Sequence, residues 1–168
     1  MNHTLSVLVE DKPGVLARVS SLLARRGFNI HSLAVGPSHE DGMSRMTVVV
    51  EADDIEQVKK QLHKLINVVK ISEFDPETSI EREIMLVRVT GGAGKRGEIL
   101  EIATIFSAIP VDVGHSAITF QIAGEPRKVN DFLELVRPYG LVELVKSGRV
   151  ALSREPKGKP APRLRAVN

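Results

Sequence analysis

LVEDKPGVLARVSSLLARRGFNI, residues 8–30, changes its hydrophobic period once, and that change decides the fold. Up to Glu10 the segment TLSVLVE alternates apolar and polar residues, the period of a strand with one buried face. From Val15 onward Val15, Leu16, Val19, Leu22 and Leu23 recur at helical spacing. Asp11, Pro13 and Gly14 lie between, so the chain turns from strand to helix there, with Pro tolerated in a first helical turn and Asp able to cap it. The expected helix runs from Gly14 to Arg26 and stops at Gly27. Gly14 adds something a cap does not need. Without a Cβ it lets a ligand reach the N–H groups at the positive end of the helix dipole, a seat for an anion. The plainer reading is a glycine that only fits a tight turn.

Working outward, FNIHSLAV reads as a strand, GPSHEDG (36–42) as a loop and MSRMTVVVE as a further strand, with Met46, Val48 and Val50 on one face and Arg45 and Thr47 on the other. Ile55, Val58, Leu62 and Leu65 mark a second helix, and NVVKISEF returns as a strand. The order is β-α-β-β-α-β, the split βαβ arrangement with helices on one face of an antiparallel sheet. It begins again near Glu83. EIMLVRVT is a strand; Ile99, Ile102, Ala103 and Phe106 mark a helix. IPVDVGHS and AITFQIAG form a strand pair, Val129, Phe132, Leu133 and Val136 mark a helix, and GLVELVKSGRVALSR is read as one closing strand. The expected fold class is α+β: two tandem ferredoxin-like βαββαβ domains, at 1–76 and 77–154, joined through DPETSIER (75–82) and followed by a basic, Pro-rich tail at 155–168 expected to be disordered.

Composition narrows the function. The 168 residues are 42% apolar but only 4% aromatic, with no Trp and one Tyr, which argues against a carbohydrate or base-stacking surface. No Cys means no disulfide, no thiolate metal site and no cysteine nucleophile. The start MNHTLSVLVEDK lacks the basic region and apolar core of a signal peptide, and no apolar run approaches a membrane span, so the expected compartment is the cytoplasm. The net charge of +2 is carried by the tail: from Arg154 onward there are five Lys/Arg and one Glu, leaving residues 1–153 at −2. A nucleic-acid partner, which would draw basic charge onto the folded face, is not expected.

Two patterns imitate enzymes. In GGAGKRG, Gly92, Gly94 and Gly97 fit G-x-G-x-x-G between a strand and a helix, with Asp112 at the end of the next strand. A dinucleotide fold needs a crossover to a parallel strand there, whereas this pattern continues into a hairpin. Asp53 and Asp54 resemble a carboxylate pair but precede the helix of Ile55, where capping accounts for them. His3, His31, His39, His63 and His115 are scattered without metal-ligand spacing. No catalytic residue and no metal site is assigned.

The run LVEDKPGVLARVSSLLARRGFNIHSLAVGPS, with MSRMTVVV and QLHKLINVVKI, resembles the ACT domain of the small, regulatory subunit of acetohydroxyacid synthase (acetolactate synthase). SIEREIMLVRV and PYGLVELVKSGRVALSR resemble that family's C-terminal domain, so the likeness covers nearly the whole chain apart from the tail. KPGVLARV and RGFNI mark ACT domains in general; the long contiguous match points to this family. The resemblance implies a regulatory chain with no chemistry or cofactor of its own. Its partner is a large catalytic subunit carrying thiamine diphosphate, Mg²⁺ and usually FAD. The small subunit activates that partner and makes it sensitive to valine or a related branched-chain amino acid. It also implies a homodimer, with the effector held where the strand–helix turn of one chain meets the neighbouring chain. Carried over by position, the effector residues are Asp11, Gly14, Val15 and Leu16 in the turn, and Asn29 and Ile30 after the helix. The family usually has Asn at position 11; Asp11 favours an ammonium and repels a carboxylate that lies too near. Two other readings are an ACT-type amino-acid sensor acting on a different partner and a nicotinamide-binding enzyme using loop 92–97. A DNA-binding regulator lacks any helix-turn-helix once both repeats are assigned.

Overall fold

The computed structural model describes residues 1–155, so the expected tail falls, but for its first residue, outside the described residues. β1 (Asn2–Glu10), α1 (Val15–Arg25), β2 (Asn29–Pro37), β3 (Met43–Glu51), α2 (Ile55–Leu62) and β4 (Val68–Phe74) make the first unit. Its strands pair antiparallel in the order β2-β3-β1-β4. The pattern repeats in β5 (Ser79–Val89), α3 (Arg96–Ile105), β6 (Ile109–Val113), β7 (Ile118–Gly124), α4 (Pro126–Val136), a 3-10 turn at Arg137–Tyr139, and β8 (Leu141–Lys146), ordered β6-β7-β5-β8. The fold class is the one expected: two ferredoxin-like α+β units.

Each core follows from the register. Leu5 lies opposite Val48 and Val7 opposite Met46, so one face of the first sheet is apolar and packs on Val15, Val19 and Leu23 of α1 and Val58 and Leu62 of α2. In the second unit Met85, Val87, Phe120 and Ile122 face Ile99, Val129, Phe132 and Val136. Phe132 anchors that core, with Phe106 at 5.7 Å and Phe120 edge-on at 6.1 Å between ring centroids. Pro110 is accommodated because β6 is an edge strand, where a missing donor breaks no ladder.

The structure departs from the sequence reading in three places. The helix begins at Val15 rather than Gly14, and α2 ends at Leu62, short of Leu65, which still packs on the core. The closing strand is two strands. Gly148, at φ 82°, interrupts the ladder after β8, and β9 (Val150–Ser153) runs on in the same direction, offset by one residue, to pair with Ser79–Arg82, the first residues of β5. β5 therefore begins inside the stretch read as a connecting segment.

That β5–β9 ribbon packs on the first sheet, against the face opposite its helices. The Arg149 N–H donates to the Ser32 hydroxyl at 2.7 Å, and the Arg149 guanidinium meets Glu81 at 3.1 Å. Thr4 and Ser6, which alternation places on this face, are each only 6% exposed, and Thr47 4%. The first sheet is thus covered on both sides, although only one of its faces is apolar throughout.

Gly148 fixes this docking twice over. Its φ is in the left-handed region, and a Cβ there would come within 2.8 Å of the Leu33 carbonyl oxygen, a backbone atom that cannot swing aside. Gly148→Ala is expected to lower stability by about 1–3 kcal/mol in urea unfolding. It should also speed amide exchange at Thr4, Ser6 and Thr47. Gly36→Ala, whose Cβ meets nothing within 4 Å, should leave both unchanged.

Candidate functional site

At the β1–α1 turn, Gly14 is itself the N-cap of α1, at φ 83°, and no side chain among the described residues caps the helix. This corrects the capping role expected of Asp11. Asp11 is exposed and is tied down through its backbone, the N–H donating to the Gly42 carbonyl at 2.9 Å. Gly14 is needed for a conformation that L-residues adopt only at a cost of roughly 1–2 kcal/mol. The plain turn requirement is therefore real, yet it does not exhaust the site. In the first turn, Val15 N–H reaches the Lys12 carbonyl at 3.4 Å and Arg18 N–H the Gly14 carbonyl at 3.0 Å. The N–H groups of Gly14, Leu16 and Ala17 find no acceptor among the described residues. Three unsatisfied donors at the positive end of a helix dipole, with no side chain above them, form an anion seat open to solvent. Leu16 beside them is 42% exposed, while Val15 is buried in the core.

Four residues that the sequence reading did not single out hold this turn in place. The Asn67 side chain donates to the Glu10 carboxylate at 2.7 Å and accepts from the Arg18 guanidinium at 2.9 Å. Lys12 pairs with the same carboxylate at 3.0 Å. The Glu10 N–H donates to the Asn67 carbonyl at 2.9 Å, so both ends of Asn67 bind the end of β1. The Asn67 amide, and then Lys12, hold the Glu10 carboxyl below its ordinary range. No local signal in the sequence joins Asn67 to Glu10, which lie 57 residues apart.

Within one chain the six candidate residues do not converge. Asn29, at the start of β2, lies across from Glu51, which lies across from Asn2, so Asn29 is at the opposite end of the sheet from Glu10 and the turn. At roughly 3.3 Å per residue the length of β1 puts about 26 Å between the two groups. Asp11, Gly14, Val15 and Leu16 form one cluster; Asn29 and Ile30 form another.

The glycine-rich decoy sits at the corresponding turn of the second unit. There Lys95 pairs with Glu98 at 2.9 Å, the Tyr139 hydroxyl donates to Glu98 at 3.0 Å, and Arg96 donates to the carbonyls of Gly114 and His115. Its polar groups thus serve the local fold, and every strand pairing around it is antiparallel, which removes the parallel crossover a dinucleotide needs. Asp54 caps α2, accepting from the N–H groups of Glu56 and Gln57 at 3.0 and 3.3 Å. Among the described residues no helix is long and apolar enough to cross a membrane.

The chain matches two family models: the acetohydroxyacid synthase small subunit-like ACT domain at residues 5–70, and the small subunit of acetolactate synthase at residues 82–155. Among curated proteins it is 52% identical to an acetolactate synthase small subunit of Mycolicibacterium smegmatis over 158 residues, 93% of each chain. It is 53% identical to a probable acetolactate synthase small subunit of Archaeoglobus fulgidus over 156 residues, 92% of this chain and 98% of that one. The crystal structure of the acetolactate synthase small subunit from Thermotoga maritima superposes with a TM-score of 0.84 at 40% identity, covering 92% of this chain and 98% of that one.

Asn67→Ala is expected to cost about 1–2 kcal/mol, because it removes bonds at both ends of a buried amide. In the wild type, carbon-detected titration of Glu10 should show a midpoint below the ordinary carboxylate range, rising towards it in the variant. A depressed folded-state value means the Glu10 contribution is present above the ordinary range and lost as pH falls through the folded midpoint. The stability gap between wild type and variant should therefore narrow in acid.

Proposed function

This chain belongs to the acetolactate synthase small-subunit family, with that family's ACT domain in its first unit, and on that premise we propose that it is the non-catalytic regulatory subunit of an acetolactate synthase. It binds and activates a catalytic subunit that condenses pyruvate with a second 2-keto acid in branched-chain amino-acid biosynthesis, and it confers feedback inhibition by valine or a related amino acid. Thiamine diphosphate, Mg²⁺ and FAD belong to that partner, and the setting is the cytoplasm. The labour divides between residues 1–76, which dimerise and bind the effector, and residues 77–154, which carry the response to the catalytic subunit.

The observation that carries the effector reading is the uncapped N-terminus of α1, with three free N–H donors around a glycine of positive φ. A zwitterionic amino acid brings a carboxylate for those donors, an ammonium that needs oxygen acceptors and an apolar side chain that needs a small dry surface. Asp11 stands ready for the ammonium and Leu16 for the side chain. Asn29 and Ile30 can join them only from a second copy, since a small effector cannot span the separation within one chain. β2 is an edge strand, and antiparallel pairing of β2 with its copy across a two-fold axis would set Asn29 of the copy beside the Pro37 end of β2, the end where the turn lies.

Gly14→Asp puts a carboxylate where the effector's would sit. The left-handed conformation adds a strain of about 1–2 kcal/mol, moderated because Asp is among the residues that tolerate it, so the variant should fold with a lowered melting temperature. Losing one or two charge-assisted hydrogen bonds should weaken valine binding by about 2–4 kcal/mol, thirtyfold or more. Acetolactate production by the reconstituted enzyme should then stay activated and resist valine. Normal inhibition of this variant would leave Gly14 as a turn residue only.

The shared site has its own test. Mixing Gly14→Asp chains with Asn29→Ala chains should give hybrid dimers with one intact site and one doubly altered site. Valine binding should therefore return to about half of the sites in the hybrids although neither parent binds it well. Hybrids as defective as the parents, or an 18.4 kDa monomer by light scattering at micromolar concentration, would refute the two-chain site.

A further inference from the structure

Arg45 carries a charge that no described residue answers. On β3 it lies between Leu8 of β1 and Gly36 of β2, and its side chain leaves the sheet on the face turned to the β5–β9 ribbon. It forms no ion pair and no hydrogen bond among the described residues, and its Nε is closed off from solvent without an acceptor. A buried guanidinium N–H is ordinarily paired, because leaving it unmatched costs on the order of 1–3 kcal/mol. The surroundings make the mismatch worse. Lys70 lies across Leu8 in the same row of the sheet, and Glu81, which the ribbon brings to this interface, is engaged by Arg149 at 3.1 Å.

Beside Arg45 is a cavity of about 240 Å³ between the two units. β2 supplies Ala34 and Pro37, β3 supplies Arg45 and Thr47, and β9 supplies Val150 and Ala151. Arg45 and Thr47, two residues apart on one strand, place a guanidinium and a hydroxyl on the same face, a pair of donors suited to one carboxylate. The rest of the lining is apolar, and no acid is among it, so an ammonium has nowhere to go. The volume is below the range of pockets for drug-sized ligands, which rules out nucleotides and leaves room for a handful of heavy atoms.

We propose that this cleft is a second ligand site, specific for a short-chain aliphatic monocarboxylate. The head group sits on Arg45 and Thr47 and the tail lies against Pro37, Val150 and Ala151. It differs from the site at Gly14 in position and in chemistry, since it selects against the amino group that Asp11 would welcome. Because it takes residues from β3 and β9, its occupant clamps the ribbon to the first sheet and links ligand binding to the docking of the two units. The inference does not depend on the effector reading.

The full-length chain, labelled with nitrogen-15, should be titrated with 3-methylbutanoate, inorganic phosphate and valine. The site requires saturable shifts at Thr47, Val150 and Ala151 with 3-methylbutanoate, at least tenfold weaker binding of phosphate, and no valine response at these three amides. Arg45→Met should weaken 3-methylbutanoate tenfold or more, and Arg45→Lys by less. Absence of saturable shifts in the wild type, equal affinity for phosphate, or affinity unchanged in Arg45→Met would overturn the proposal. Valine shifts centred on Gly14 and Asn29 that persist in Arg45→Met would show the two sites to be independent; their absence alone would count against the effector reading and leave this site standing.

Discussion

β1 is buried on both faces, and the two burials do different work. Leu5, Val7 and Val9 close the core beneath α1 and α2, where removal of apolar surface from water supplies the main stabilisation. Thr4 and Ser6 on the reverse are covered by the β5–β9 ribbon from a remote part of the chain. Because β1 lies between β3 and β4 and ends at the Gly14 turn, any shift in its register would disturb the core, the docking of the second unit and the candidate effector seat together.

The turn after β1 shows how a weak local element is made definite. With Gly14 at the N-cap in place of a Ser, Thr, Asp or Asn, α1 forgoes on the order of a few tenths of a kcal/mol. Burial of Val15, Val19 and Leu23 offsets this, and the Asn67 bridge between Glu10 and Arg18 fixes the angle at which the helix leaves the strand. Donors that capping would have consumed are left facing solvent on a rigid frame, which is what preorganised recognition of an anion requires.

The two units share topology but not surroundings. The first sheet's reverse face holds Thr4, Ser6, Thr47 and Val49 under cover, whereas the same face of the second sheet leaves Leu86 and Val145 exposed. The difference traces to the length of β5. Past Gly148 the chain stays paired with β5 as β9, and this ribbon reaches from the second sheet over the first, so the second unit's longest strand and its terminal strand together roof its neighbour.

Hydrophobic period alone determined the element order, the two repeated units and the inward faces of Leu5, Val7, Met46 and Val48, because a buried face imposes its spacing locally. It also placed Arg45 and Thr47 on the reverse face of their strand, and the motif around Gly14 marked the turn. Tertiary structure decided what those positions meet. A glycine permits positive φ without announcing it; Asp11 has the chemistry of a cap but sits too early in the turn to serve as one. Asn67 reaches Glu10 only once β4 has paired with β1. The break at Gly148 could not be told from a continuous strand until β9 found the first half of β5, and the distance between Gly14 and Asn29 is set by the length of β1 between them. Each of these depends on segments far apart in the chain coming together, and no window of sequence contains both partners.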